Sequence, residues 1–82
     1  MYKIEFSVKA EKQLEKLNDD TAIRIMSALE RTKIRPYHFV KRLEGTKYYR
    51  FRVGDYRVIM DIQSDKLIIM VVEVEHRKNV YK

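Results

Sequence analysis

Eighty-two residues lead us to expect a single domain, and the lack of cysteine among them excludes a disulfide framework and a thiolate zinc site within it. Eighteen Lys and Arg against twelve Asp and Glu leave a net charge of +6, which points to an anionic partner: nucleic acid, an anionic membrane or an acidic protein. No run approaches the roughly 18 apolar residues of a membrane span, and the N-terminus carries no signal-peptide pattern, so a cytoplasmic protein with no membrane partner is expected.

Residues 2–6, "YKIEF", alternate, with Tyr2, Ile4 and Phe6 on one side, as in a half-buried strand. Ser7 offers a helix N-cap. In "VKAEKQLEKL", Ala10, Leu14 and Leu17 form one apolar stripe. "NDD" interrupts it, and its aspartates suit the start of a second helix. In "TAIRIMSALERTKI", Ala22, Ile25, Met26 and Leu29 again have helical spacing. Pro36 disfavours helical geometry at Arg35 and should end that helix. Residues 8–35 therefore read as a helical hairpin.

Residues 37–47, "YHFVKRLEGTK", have no clean period and read as a loop. "YYRFRV" and "YRVIMDI" then alternate, joined by Gly54-Asp55. Glycine first in a two-residue loop suits a type II′ turn. "QSDK" is a second turn, and "LIIMVVEVE" is a strand apolar on both faces at its start, hence central. The order β-α-α-β-β-β predicts an α+β fold, a helical hairpin packed on one face of a small, mainly antiparallel sheet. A fully local meander is its simplest assembly.

The hairpin loop sets Arg52 opposite Arg57. Like charges so placed are unfavourable by up to ~1 kcal/mol. Alternation sends Tyr49, Phe51 and Val53 toward the helices and Arg50, Arg52 and Arg57 to the other face. On the last strand, Met70, Val72 and Val74 are expected on the core face, with Glu73, Glu75 and Arg77 beside the arginines. One reading is surface ion pairing of Glu73 and Glu75 with Arg57 and Arg52, contributing ~0–1 kcal/mol. The other is a phosphate site. Arg50, Arg52, Arg57 and Arg77 outnumber two glutamates, and guanidinium groups match phosphate oxygens in bidentate geometry. Tyr81, near Arg77, either stacks on an unpaired base, contributing ~1–3 kcal/mol, or packs at the core edge. His38 and His76 are the right residue type for an acid–base pair, but strand parity turns His76 toward the core. No metal constellation or glycine-rich loop is present, and no cofactor is expected.

"YYRFRVGDYRVIMDI" followed by "VVEVEHRKNVYK", with "LEG" before the sheet and the ending "HRxxVY", resembles the RelE toxins of the RelE/ParE superfamily. The resemblance covers the whole chain and implies one RelE-like domain over residues 1–82. It implies a small toxin paired with a RelB-like antitoxin. It further implies an endoribonuclease that cuts messenger RNA in the ribosomal A site without a metal, by attack of a ribose 2′-OH on the adjacent phosphate. Carried onto this chain, Arg57 is the arginine that stabilises the transition state. Arg77 is the second active-site arginine, and Tyr81 is the tyrosine that stacks on the base. Arg50 and Arg52 stand where well-known RelE proteins have lysines. Arginine stays charged, so these two suit phosphate binding rather than general-base work. Glu75, Tyr81 or a ribosomal group is left to move the proton. ParE relatives share the fold and inhibit DNA gyrase by binding it, which is the alternative function.

Overall fold

A computed structural model describes residues 1–77. Its elements are β1 (Lys3–Phe6), α1 (Val8–Glu15), α2 (Asp19–Glu30), a 3-10 turn (Pro36–His38), β2 (Lys41–Arg42), β3 (Tyr49–Val53), β4 (Tyr56–Gln63) and β5 (Ile68–His76). One five-stranded sheet runs in the order β1-β5-β4-β3-β2. β1 pairs parallel with β5, and the other pairings are antiparallel. This is the expected α+β architecture. No helix among the described residues is long and apolar enough to cross a membrane.

The helix starts follow the caps. The Ser7 hydroxyl accepts from the Ala10 N–H at 3.0 Å, and Asn18 does the same for Thr21 at 2.8 Å. Asp19 and Asp20 occupy the first turn of α2, where negative charge is favoured by the helix dipole. Ala10 of α1 and Ile25, Ala28 and Leu29 of α2 are buried against Phe51, Val53, Val58, Met60, Ile62, Ile69, Val71 and Val74.

Five details differ from the sequence reading. The sheet is not a local meander, because β1 lies beside β5. The start of β5 is apolar on both faces, and β1 satisfies the edge groups that would otherwise be left open there. The 37–47 segment is not all loop. It contains the 3-10 turn and the two-residue β2, too short and too charged to show alternation. α2 ends at Glu30 rather than Arg35. Just beyond it, the buried Thr32 donates its hydroxyl to the Leu29 carbonyl at 2.6 Å, a local bond that competes with helix continuation. Met26 lies on the rim, and Ala28 takes the core position instead.

The fifth difference lies on β5. Val58 faces Val74 and Ile59 faces Glu73, but Met60 faces Val71. Val72 is thus an extra residue, a β-bulge, and the alternation changes phase there. Ile69, Val71 and Val74 take the core face, not Met70 and Val72. α1 secures the bulge. The Ser7 hydroxyl donates to the Val72 carbonyl at 2.7 Å, and the Gln13 side-chain oxygen accepts from the Val74 N–H at 2.6 Å.

The β3–β4 loop has the expected chemistry. Gly54 has φ +57, whereas Asp55 does not have a positive φ. Only the first central residue of a type II′ turn needs that conformation. A Cβ on Gly54 would meet nothing closer than the Arg24 guanidinium at 3.8 Å, so substitution costs backbone strain and no clash. Gly54→Ala should destabilise the fold by roughly 1–3 kcal/mol, seen as a lower urea midpoint with an unchanged m-value.

Candidate functional site

The hairpin register places Arg52 directly across from Arg57, and Arg50 across from Ile59. All three arginines leave the sheet on the face opposite the helices. The chain returns to this face at the end of β5. There the Arg77 N–H donates to the Asp55 carbonyl at 2.7 Å, fastening the end of β5 to the hairpin turn. The result is a cleft of about 250 Å³ lined by Arg50, Arg52, Arg57 and Arg77 together with Lys41, Phe39 and Tyr56. The four arginines singled out in the sequence therefore meet in one concavity. Tyr81 lies outside the described residues.

Arg57 is the least exposed of the charged groups on which the cleft centres, its side chain 27% accessible. Glu75, its neighbour on β5, accepts from Arg57 Nη2 at 3.0 Å. The Arg57 Nε is buried and has no acceptor among the described residues. Glu73 does not neutralise an arginine by direct pairing; it pairs with Lys9 of α1 at 3.2 Å. Among the described residues, no carboxylate lies within ion-pair distance of Arg50 or Arg52. The glutamates thus anchor one arginine and leave the mouth of the cleft strongly positive. Such a surface suits the oxygens of a phosphate, where planar donors act in pairs.

The two glutamates interact and titrate in opposite directions. Hydrogen bonding to Glu75, once that group is protonated, lowers Glu73, helped by Lys9 and Arg57. The same bond and burial raise Glu75 above its ordinary value, and they outweigh the lowering by Arg57. On acidification the pair takes up its first proton on Glu75.

Phe39 and Lys41 were not found from the sequence. Lys41 sits on β2 opposite Arg50, and Phe39 meets Phe51 edge-to-face at 6.4 Å. The only sequence signal was a cation two residues after an aromatic in an aperiodic stretch. The histidines are not gathered in the cleft. His38 packs against Phe39, outside the lining. His76 packs edge-to-face on Tyr56 at 4.9 Å and borders a second groove with Gln13 and Leu17 of the α1 region. Ile59 is also buried, at 6% exposure, although it points to the arginine face between Arg50 and Glu73.

A raised carboxylate contributes stability that is fully present below the ordinary glutamate range and is lost as pH rises through its own pKa. Glu75 therefore weighs against the fold at neutral pH. Glu75→Gln keeps an acceptor for Arg57 and a donor for Glu73 while removing the charge. Urea melts should show this variant more stable than the native chain at pH 7. The difference should vanish as acidification protonates Glu75.

The sequence from 4 to 81 matches the family described as ParE toxin of type II toxin-antitoxin system, parDE. Toxin RelE3 of Methanocaldococcus jannaschii is 40% identical over 43 residues, a match covering 51% of this chain and 47% of that toxin. The chain thus matches about half the length of this curated relative. The RelE–RelB complex of Pyrococcus horikoshii contains a chain of the same fold, with TM-score 0.80, 28% identity, and coverage of 93% of this chain and 94% of that one. The RelBE complex of E. coli contains another, with TM-score 0.81, 20% identity, and coverage of 93% and 96%. Fold, cleft and sequence agree: the chain belongs to the ParE toxin family of type II toxin–antitoxin systems and is a toxin of the RelE type.

Proposed function

We propose that this toxin is a metal-independent endoribonuclease that cuts messenger RNA in the ribosomal A site. The observation that carries the reading is the cleft in which Arg50, Arg52, Arg57 and Arg77 converge. In the reaction the ribose 2′-oxygen bonds to the adjacent phosphorus and the bond to the 5′-oxygen breaks. A proton leaves the 2′-OH and another joins the 5′-oxygen, giving a 2′,3′-cyclic phosphate and a 5′-OH. Negative charge builds on the phosphate oxygens meanwhile, and preorganised donors stabilise it there. Arg57 is the best placed of these donors, because Glu75 holds its guanidinium from behind. Arg77 serves the phosphate and leaving group, Arg50 and Arg52 grip the backbone, and Tyr81 orients the nucleotide.

The partner that follows is a RelB-like antitoxin, since the similar folds from Pyrococcus horikoshii and E. coli were solved with RelB. Such a partner would offer an acidic or amphipathic helical surface to this basic toxin. A second reading is favoured by the family match, whose description is that of ParE. On that reading the chain blocks DNA gyrase by binding it and cuts nothing.

Ribosomes programmed with a short message, with chelator added in excess of contaminating metal, separate the readings. Mapping of new 5′ ends should show cleavage within the A-site codon. Arg57→Ala should lower the rate by about a hundredfold or more. Undiminished cleavage by that variant would remove Arg57 from the mechanism. Absent cleavage together with blocked supercoiling in a gyrase assay would select the second reading.

A further inference from the structure

The wall of the cleft on the β2 side holds a pair of residues for which the proposed reaction assigns no role. Phe39 is 41% exposed, yet it lines a cavity otherwise dominated by cations. Its position is fixed from three sides. The buried Pro36 starts the 3-10 turn that Phe39 closes, the Phe39 N–H donating to the Pro36 carbonyl at 3.1 Å. Val40 packs against the core. The ring itself meets Phe51 at 6.4 Å and His38 at 5.1 Å, both edge-to-face. Two residues on, Lys41 is exposed and locked into the ladder opposite Arg50. A rigid, partly open aromatic beside a cation matches a nucleotide, which presents a flat base at one end and a charged phosphate at the other. Bases stack on such rings regardless of sequence, while the backbone follows the positive groove.

We propose that Phe39 and Lys41 form a nucleotide subsite, Phe39 stacking on an unpaired base and Lys41 pairing with a neighbouring phosphate. The subsite rests on the reading of the cleft as an RNA-phosphate site, but it does not require cleavage. It lies on the opposite side of the hairpin from the end of β5, so it would hold a nucleotide other than the one near Arg77.

The test uses a 2′-O-methyl RNA decamer, which has no free 2′-OH and cannot be cut, and an abasic strand of the same length. Binding to the isolated toxin is followed by fluorescence anisotropy across a salt series. Phe39→Leu keeps an apolar contact with Phe51 but removes the ring. It should weaken binding of the base-bearing strand by about tenfold and of the abasic strand by less than about twofold, with the salt slope unchanged. Lys41→Gln should weaken both strands and reduce the log–log salt slope by about 0.7, the increment for one phosphate on a single strand. The chain has no tryptophan, so Phe39→Trp introduces a single indole, excited selectively over the tyrosines, at the subsite. It should retain affinity and be quenched by the base-bearing strand alone.

Equal losses on both strands for Phe39→Leu, an unchanged slope for Lys41→Gln, or an indole emission from the Phe39→Trp variant indifferent to bases would overturn the subsite. Should Phe39→Leu fail to fold, the tryptophan quenching decides. Native toxin that binds neither strand overturns the subsite together with the phosphate reading of the cleft. Native toxin that binds and shows these signatures, yet leaves ribosome-bound message intact, supports the subsite and removes only the nuclease.

Discussion

Arg57 is caught between a like charge and an opposite one, and the site is built around that arrangement. On β4 it faces Arg52 across one ladder and Glu75 across the other. The repulsion pushes its guanidinium away from β3, and the ion pair at 3.0 Å receives it on the β5 side. The charge is therefore held in place rather than left to wander on a flexible stem. Registers on both sides of β4 must be right at once for this to happen. A slip of one residue on either ladder would send the arginine to the core face.

The same strand supplies the core. Val58, Met60 and Ile62 alternate with Arg57, Ile59 and Asp61, so β4 joins the apolar layer to the charged one. A domain this small has little apolar surface to bury, and concentrating cations on one face works against it. The sheet limits the conflict by sending the apolar side chains of β3, β4 and β5 to the helices and keeping most charge on the far side. Ile59 is an exception, as are Met70 and Val72 of β5, and it is an apolar residue covered on the charged side between Arg50 and Glu73. Long charged side chains have apolar stems that cover such a residue while their heads stay in water.

Much of this was legible in the sequence, and the reason is periodicity. Alternation in residues 49–62 and the Gly54-Asp55 turn were enough to put Arg50, Arg52 and Arg57 on one face. Ser7 announced α1, and the aspartates after Asn18 announced α2. What was hidden depends on contacts distant in the chain. Nothing local says that residues 3–6 pair with 68–71. Nothing local says that Glu73 turns to Lys9 while Glu75 turns to Arg57. Lys41 became part of the cleft only because a two-residue strand docks beside β3. The Val72 bulge has no marker such as glycine, so strict alternation carried Met70 and Val72 to the wrong face.

That bulge also separates two kinds of demand on a single strand. β5 is nine residues long. Before Val72 its inward positions, Ile69 and Val71, serve the core, and after it the outward ones, Glu73 and Glu75, serve the charged face. The extra residue acts as a phase change between the two, held at both sides by Ser7 and Gln13 of the neighbouring α1 region. Upstream the inward positions carry packing alone, whereas downstream Val74 still packs while Glu73 and Glu75 carry charge. The phase change thus lets one strand feed the core along its whole length while turning its charge toward Arg57 only in its second half.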